Sequence, residues 1–220
     1  MSKMAKDEKI ILKDKDIREP LCDFLDELHY PNRVLEEKDI GRSRADMMMI
    51  TKEAVFGIEI KSDADTYTRL SRQIPDYDAY FDYNYIVVGT SHAGSVSDKV
   101  PEHWGIITVE VEETQIDFYQ LRKPQPNRNW KWESKLRLLW RPEMAKIQEK
   151  TDMPKYAYLS KLNLIGKIIE KVEPVLLQEL FCEALMERDY NTIAQTINEY
   201  REANNQKKRK KRKYKRRKKS

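Results

Sequence analysis

The stretch Arg44–Lys61, RADMMMITKEAVFGIEIK, restricts the fold more than any other part of this chain. It holds two runs of strand character, Arg44–Thr51 and Ala54–Lys61, separated only by Lys52 and Glu53. Paired as a hairpin with those two residues as its loop, the runs set Asp46 directly opposite Glu59. Opposed residues share a sheet face, with Cβ atoms roughly 4.5–5.5 Å apart. Lys61, two positions along, joins them, while Ile58 and Ile60 point the other way into a core. Lys-Glu is not a favoured hairpin loop, and a slip of one residue would carry Asp46 to the opposite face. The register therefore decides the chemistry.

Around this hairpin the pattern is α/β. Asp14–Leu28 places Ile17, Leu21, Phe24, Leu25 and Leu28 at helical spacing and ends before Tyr30-Pro31-Asn32. A short strand is expected over Arg33–Glu36. Asp63–Asp82 is helical by the spacing of Leu70, Ile74, Tyr77 and Phe81, and Pro75 inside it predicts a kink or two shorter helices. Tyr85–Gly89 is a buried strand, followed by strands over Gly105–Val109 and Gln115–Leu121. After the break at Pro124–Asn129 the chain turns helical: Ser134–Glu149, Leu159–Glu170, Val175–Glu187 and Tyr190–Ala203. The expected division is a core over 10–130, a helical extension over 131–205 and a tail over 206–220.

Charge is segregated along the chain. The net charge is +5, yet residues 207–219 hold 12 Lys or Arg, interrupted only by Tyr214. Without these twelve, 30 basic residues face 37 acidic ones, a net charge of −7. The body is acidic, and the tail, repelling itself, is expected to remain disordered. Two cysteines, Cys22 and Cys182, lie far apart with no Cys/His cluster, which argues against a zinc site. The N-terminal residues lack the apolar stretch of a signal peptide, and no run reaches the length of a membrane span. A cytoplasmic chain with reduced thiols is the expectation. With six glycines and no P-loop or GxGxxG, nucleotide-cofactor chemistry has no support.

Two carboxylates held side by side repel, and one takes up a proton unless a cation joins them. Mg²⁺ and Mn²⁺ suit such a site, since hard cations accept few carboxylates and complete their shell with water and phosphate oxygens. A lysine beside them can orient a water and stabilise charge developing on phosphorus. Asp46, Glu59 and Lys61 are thus the parts of metal-assisted phosphodiester hydrolysis. Met47-Met48-Met49 reads as packing, because thioethers are poor ligands for hard ions. His92 and His103 stand in loops without a nucleophile at triad spacing, although His92 follows the strand ending at Gly89.

At these residues the chain resembles the PD-(D/E)XK, or restriction-endonuclease-like, nuclease superfamily. Asp46, Glu59, Ile60 as X, and Lys61 carry the match, within Arg44-Ala45-Asp46, Glu59-Ile60-Lys61-Ser62-Asp63, Arg69-Leu70-Ser71-Arg72-Gln73 and Phe81-Asp82. Pro101-Glu102-His103-Trp104-Gly105 and Leu138-Leu139-Trp140-Arg141 add to it, so that about residues 14–150 look like a bacterial and phage subgroup. The resemblance implies a mixed sheet flanked by helices, with Asp46, Glu59 and the Ile60 carbonyl holding Mg²⁺ or Mn²⁺. It implies Lys61 positioning the water with support from Gln73, and Arg69 beside the substrate. A further acidic ligand is implied, with Glu36, Glu37 and Glu19 as candidates. Nucleic acid, DNA ahead of RNA, is the implied partner rather than membrane. The tail residues Lys207, Lys208, Arg209, Lys210, Lys211, Arg212, Lys213, Lys215, Arg216, Arg217, Lys218 and Lys219 would then anchor phosphate without regard to sequence. The competing function is a non-cleaving binding or adaptor domain, against which the three intact site residues count.

Overall fold

The computed structural model describes residues 12–112 and 115–190. Six strands run in sequence order across one mixed sheet: β1 (Arg33–Ile40), β2 (Ser43–Ile50), β3 (Val55–Lys61), β4 (Tyr83–Gly89), β5 (Gly105–Glu112) and β6 (Gln115–Arg122). The β1–β2, β2–β3 and β5–β6 pairs are antiparallel, whereas β3–β4 and β4–β5 are parallel. Each parallel pair needs a crossover, which α2 (Leu70–Tyr80) supplies for the first and α3 (Thr90–Ala93) with a 3₁₀ turn for the second. β2 pairs with β3 from Ile50↔Val55 to Met47↔Ile58, the register that sets Asp46 opposite Glu59. The Thr51 hydroxyl makes the unfavoured loop workable by accepting from the Glu53 and Ala54 amides, at 3.4 and 3.1 Å.

Strand alternation divides the core between two faces. On one, α1 (Asp14–His29) lays Ile17, Leu21 and Leu25 against Met47, Met49, Ile58, Ile60 and Val87. On the other, Met48, Ile50, Val55, Ile86 and Val88 meet Leu70, Tyr77 and Phe81 of the α2 region. That second cluster also takes in the later helices: α4 (Trp132–Lys135), α5 (Arg141–Lys150), α6 (Lys161–Lys171) and α7 (Pro174–Met186). The described residues up to Met186 belong to one compact unit, so the helices after 130 flank the sheet. A second unit begins at Glu187.

Several elements differ from the sequence reading. β1 continues past Glu36 to Ile40, and α2 starts only at Leu70, after a 3₁₀ turn at Tyr67–Arg69. α2 passes through Pro75 as one helix; both Pro75 and Ser71, whose carbonyl loses its donor, are exposed. The helix expected over Ser134–Glu149 is broken, with a 3₁₀ turn at Leu136–Leu138 and a restart at α5. Pro142 fits only the first turn of a helix, and the Glu143 carboxylate caps the restart by accepting from the Trp140 amide at 2.5 Å. Tyr190–Ala203 lies beyond the described residues except at Tyr190, and the basic tail lies wholly beyond them. No described helix is long and apolar enough to cross a membrane.

Candidate active site

The β2–β3 ladder stops at Met47↔Ile58, and the next pair along holds the candidate acids. There the Asp46 carboxylate takes the place of a backbone carbonyl: its Oδ2 accepts from the Ile60 amide at 2.9 Å. Glu59 is 1% exposed beneath α2. Its Oε1 accepts from the Lys61 ammonium and from Gln73 Nε2, the latter at 2.6 Å, and its Oε2 accepts from the Tyr77 hydroxyl at 2.6 Å. Asp46, Glu59, Lys61 and Gln73 therefore converge, as the register requires, despite Pro75 two residues beyond the glutamine.

Tyr77 does more than pack. Its oxygen also accepts from the Asp46 amide at 3.3 Å, so one phenol ties the backbone of the first acid to the carboxylate of the second. Gly57 makes room for this arrangement, because a Cβ there would fall 2.1 Å from the Phe81 ring and 2.7 Å from that of Tyr77. The helical stripe assigned Tyr77 to the core; only the fold brings its hydroxyl to two β-strands.

Asp46, Glu59, Ile60, Lys61 and Gln73 floor a cavity of about 720 Å³ lined also by Asp14, Ser43, Asp65 and four arginines, Arg42, Arg44, Arg69 and Arg72. Asp46 is held well above an ordinary carboxylic acid, at about 7. Burial is the first cause and the charge of Glu59 the second, only partly offset by the Ile60 amide and Lys61. On the α1 side, Arg18 donates to the Asp46 carbonyl at 2.9 Å, to Glu36 at 3.2 Å and to Asp14 at 2.7 Å.

The expected upstream acids do not reach this cavity. Glu19 is exposed, and neither it nor Glu36 or Glu37 lines the wall; Glu36 pairs with Arg18 and Glu37 with Arg44, each at 3.2 Å. Asp14 lines it instead, at the start of α1. Nothing in the sequence marks Asp14 except its place four residues before Arg18 on one helix face. Arg69 is exposed on the rim. His92 packs against Tyr67 and His103 bonds Asp78, both away from the cavity lining. Met47, Met48 and Met49 are fully buried.

Among the described residues no group of three or more His, Cys, Asp or Glu is set to hold a metal. The donor set is smaller, two carboxylates beside the Ile60 backbone, which suits a hard cation that keeps several waters. Two buried oxygens at the site have no partner, Gln73 Oε1 and Asp14 Oδ1. Repelling acids and orphaned acceptors are both what a cation with its waters would satisfy, so the residues fit such a group. In comparison with known proteins, residues 8–213 match the family described as bacteriophage P4 protein cII. No curated protein and no solved structure matches the chain.

Proposed function

We propose that this chain, which belongs to the bacteriophage P4 protein cII family, is a divalent-metal nuclease that hydrolyses phosphodiester bonds in nucleic acid, DNA ahead of RNA, at a PD-(D/E)XK site. The observation that carries the reading is a single one. Asp46 and Glu59 are fixed on one sheet face by Ile60, Tyr77 and Gln73, with the charge of Glu59 helping to raise Asp46 to about 7, at the floor of a cavity rimmed by arginines. Fixing two acids so that they repel costs stability, and a site bound to take a cation gives that cost a use.

Asp46, Glu59 and the Ile60 carbonyl would hold Mg²⁺ or Mn²⁺, which would supply Lewis-acid polarisation of the phosphodiester and of water. Lys61 keeps its ammonium beside Glu59, where it directs an attacking water and offsets charge growing on the phosphoryl oxygens. Gln73 holds Glu59 with its Nε2 and leaves Oε1 to accept from that water. Tyr77 is a positioning residue, setting the Glu59 carboxylate against Asp46. The basic run 207–219 would add a phosphate anchor indifferent to sequence.

The test is a cleavage panel of single-stranded, duplex and branched DNA and RNA, with Mg²⁺ or Mn²⁺. Cleavage of at least one substrate that disappears in Lys61→Ala supports the reading. Binding without cleavage across the panel would assign the domain to the non-cleaving class.

A further inference from the structure

We infer that the Gly41–Arg42 turn joining β1 to β2 is a phosphate-gripping finger, latched to α2 by Asp76, and that Arg42, Arg72 and Arg69 form a row that takes successive phosphates of one nucleic-acid strand. The inference rests on the nuclease reading for its substrate, and its own evidence is the construction of the turn.

Gly41 adopts φ +59, and a Cβ there would lie 2.4 Å from Asp76 Oδ1. Asp76 Oδ2 accepts from the Ser43 hydroxyl at 2.6 Å and from the Arg42 amide at 3.3 Å. The turn is thus closed by a carboxylate from another element, one that a residue with a side chain at position 41 would push away. What the latch leaves free is the Arg42 side chain, which is exposed and lines the cavity. Neither it nor Arg69 nor Arg72 makes an ion pair among the described residues, whereas Arg18 and Arg44 of the same region are paired.

Helix geometry orders the three. Arg72 precedes Asp76 by four residues, so it shares its face of α2 about 6 Å along the axis; Arg69, the N-cap residue three positions earlier, lines the same cavity. Arg42, pinned at Asp76, extends the row by one more guanidinium. The cavity floor is acidic and repels phosphate, so unpaired guanidiniums on the rim are what would hold an approaching strand. Guanidinium binds phosphate through two parallel hydrogen bonds, and a row of three needs a ligand with several phosphates. A mononucleotide or inorganic phosphate can engage only one.

The experiment measures binding of a fluorescent oligonucleotide to the full chain in EDTA, over a range of salt, so that cleavage plays no part. Arg42→Ala is expected to weaken binding about tenfold and to lower the salt slope by about one. Asp76→Ala separates the latch from simple charge. Removing an acid from the rim should tighten binding by electrostatics alone, whereas loss of the latch should weaken it about as much as Arg42→Ala. Melting curves establish that both variants are folded, and Arg42→Lys should recover part of the affinity. A mononucleotide should fail to compete at concentrations where the oligonucleotide saturates. Tighter or unchanged binding by folded Asp76→Ala, with an unaltered slope in Arg42→Ala, overturns the finger even if the protein cuts. Weakened binding by both variants in a protein that cuts nothing upholds the finger and sinks the nuclease reading.

Discussion

β3 carries a buried charged cluster at each of its ends, and only one of the two is closed. At the start of the strand, Lys135 is 0% exposed, yet it donates to Asp82 and to Gln178 at 2.6 Å each. Trp130, Trp132 and Phe181 surround its ammonium at 4.4, 4.8 and 5.2 Å from their ring centres. Asp82 in turn accepts from the Val55 amide at 2.9 Å and from Gln178 at 3.1 Å. One positive charge meets one negative charge with their partners in place. At the far end, Asp46, Glu59 and Asp14 face Lys61 and Arg18, the latter 3.8 Å from the Asp46 carboxylate, so acids outnumber bases; Asp46 is pushed up to about 7, and Gln73 Oε1 has no partner. The same burial thus produces a matched ion pair in one place and an excess of negative charge in the other. A buried ionic cluster points to chemistry when its charge does not balance.

Breaking the closed cluster should have the largest effect. Lys135→Ala leaves Asp82 buried without its partner, a loss of about 3–5 kcal/mol, which thermal melting reads as a drop on the order of 10 °C. A fall of under 2 °C would show that this ion pair does not hold the helices to the sheet. Lys61→Ala makes a different pattern: cleavage should fall by about a hundredfold or more, while with Mn²⁺ present, whose charge would replace that of the lysine beside Glu59, the melting temperature should stay within about 2 °C. An equal loss of stability would place Lys61 among structural charges. The smallest of these effects belongs to Tyr77→Phe, which deletes the hydrogen bond to Glu59 and the one accepted from the Asp46 amide, on the order of 2–3 kcal/mol together. It should slow cleavage about tenfold with little change in substrate affinity, read from steady-state rates. Wild-type rates in a folded Tyr77→Phe protein would reduce the tyrosine to packing.

Much of this architecture was legible in the sequence, for physical reasons that also mark the limits. The alternation through MMMI and VFGIEIK fixed which residues share a face, and Thr51 stabilised the register despite the Lys-Glu loop. β1 was read short because Glu37-Lys38-Asp39 carries no apolar alternation, although Ile40 at its end is fully buried. The break at Leu139-Trp140 is signalled in the sequence only by Pro142, which fits the first turn of a new helix. Asp14 and Tyr77 were beyond reach in a different sense. Tyr77 owes its role to the Asp46 amide 31 residues away, and Asp14 is tied to the site through Arg18, which reaches the Asp46 carbonyl 28 residues away; periodicity encodes neither link. The arginines of the rim look like ordinary surface charge until Asp76 pins the turn that carries one of them.

On the proposed function, Asp46 and Glu59 are held in repulsion so that a divalent cation can join them. Calorimetric titration of the full chain with Mn²⁺ at pH 8 and pH 6 tests it most directly. Asp46, raised to about 7, is ionised at pH 8 and protonated at pH 6, where the metal has to displace that proton. Binding at pH 8 should weaken about tenfold at pH 6. Binding should persist in Lys61→Ala and vanish in Asp46→Asn, whose neutral amide is a poor ligand for a hard ion. Identical heats from wild type and Asp46→Asn at both pH values would contradict it.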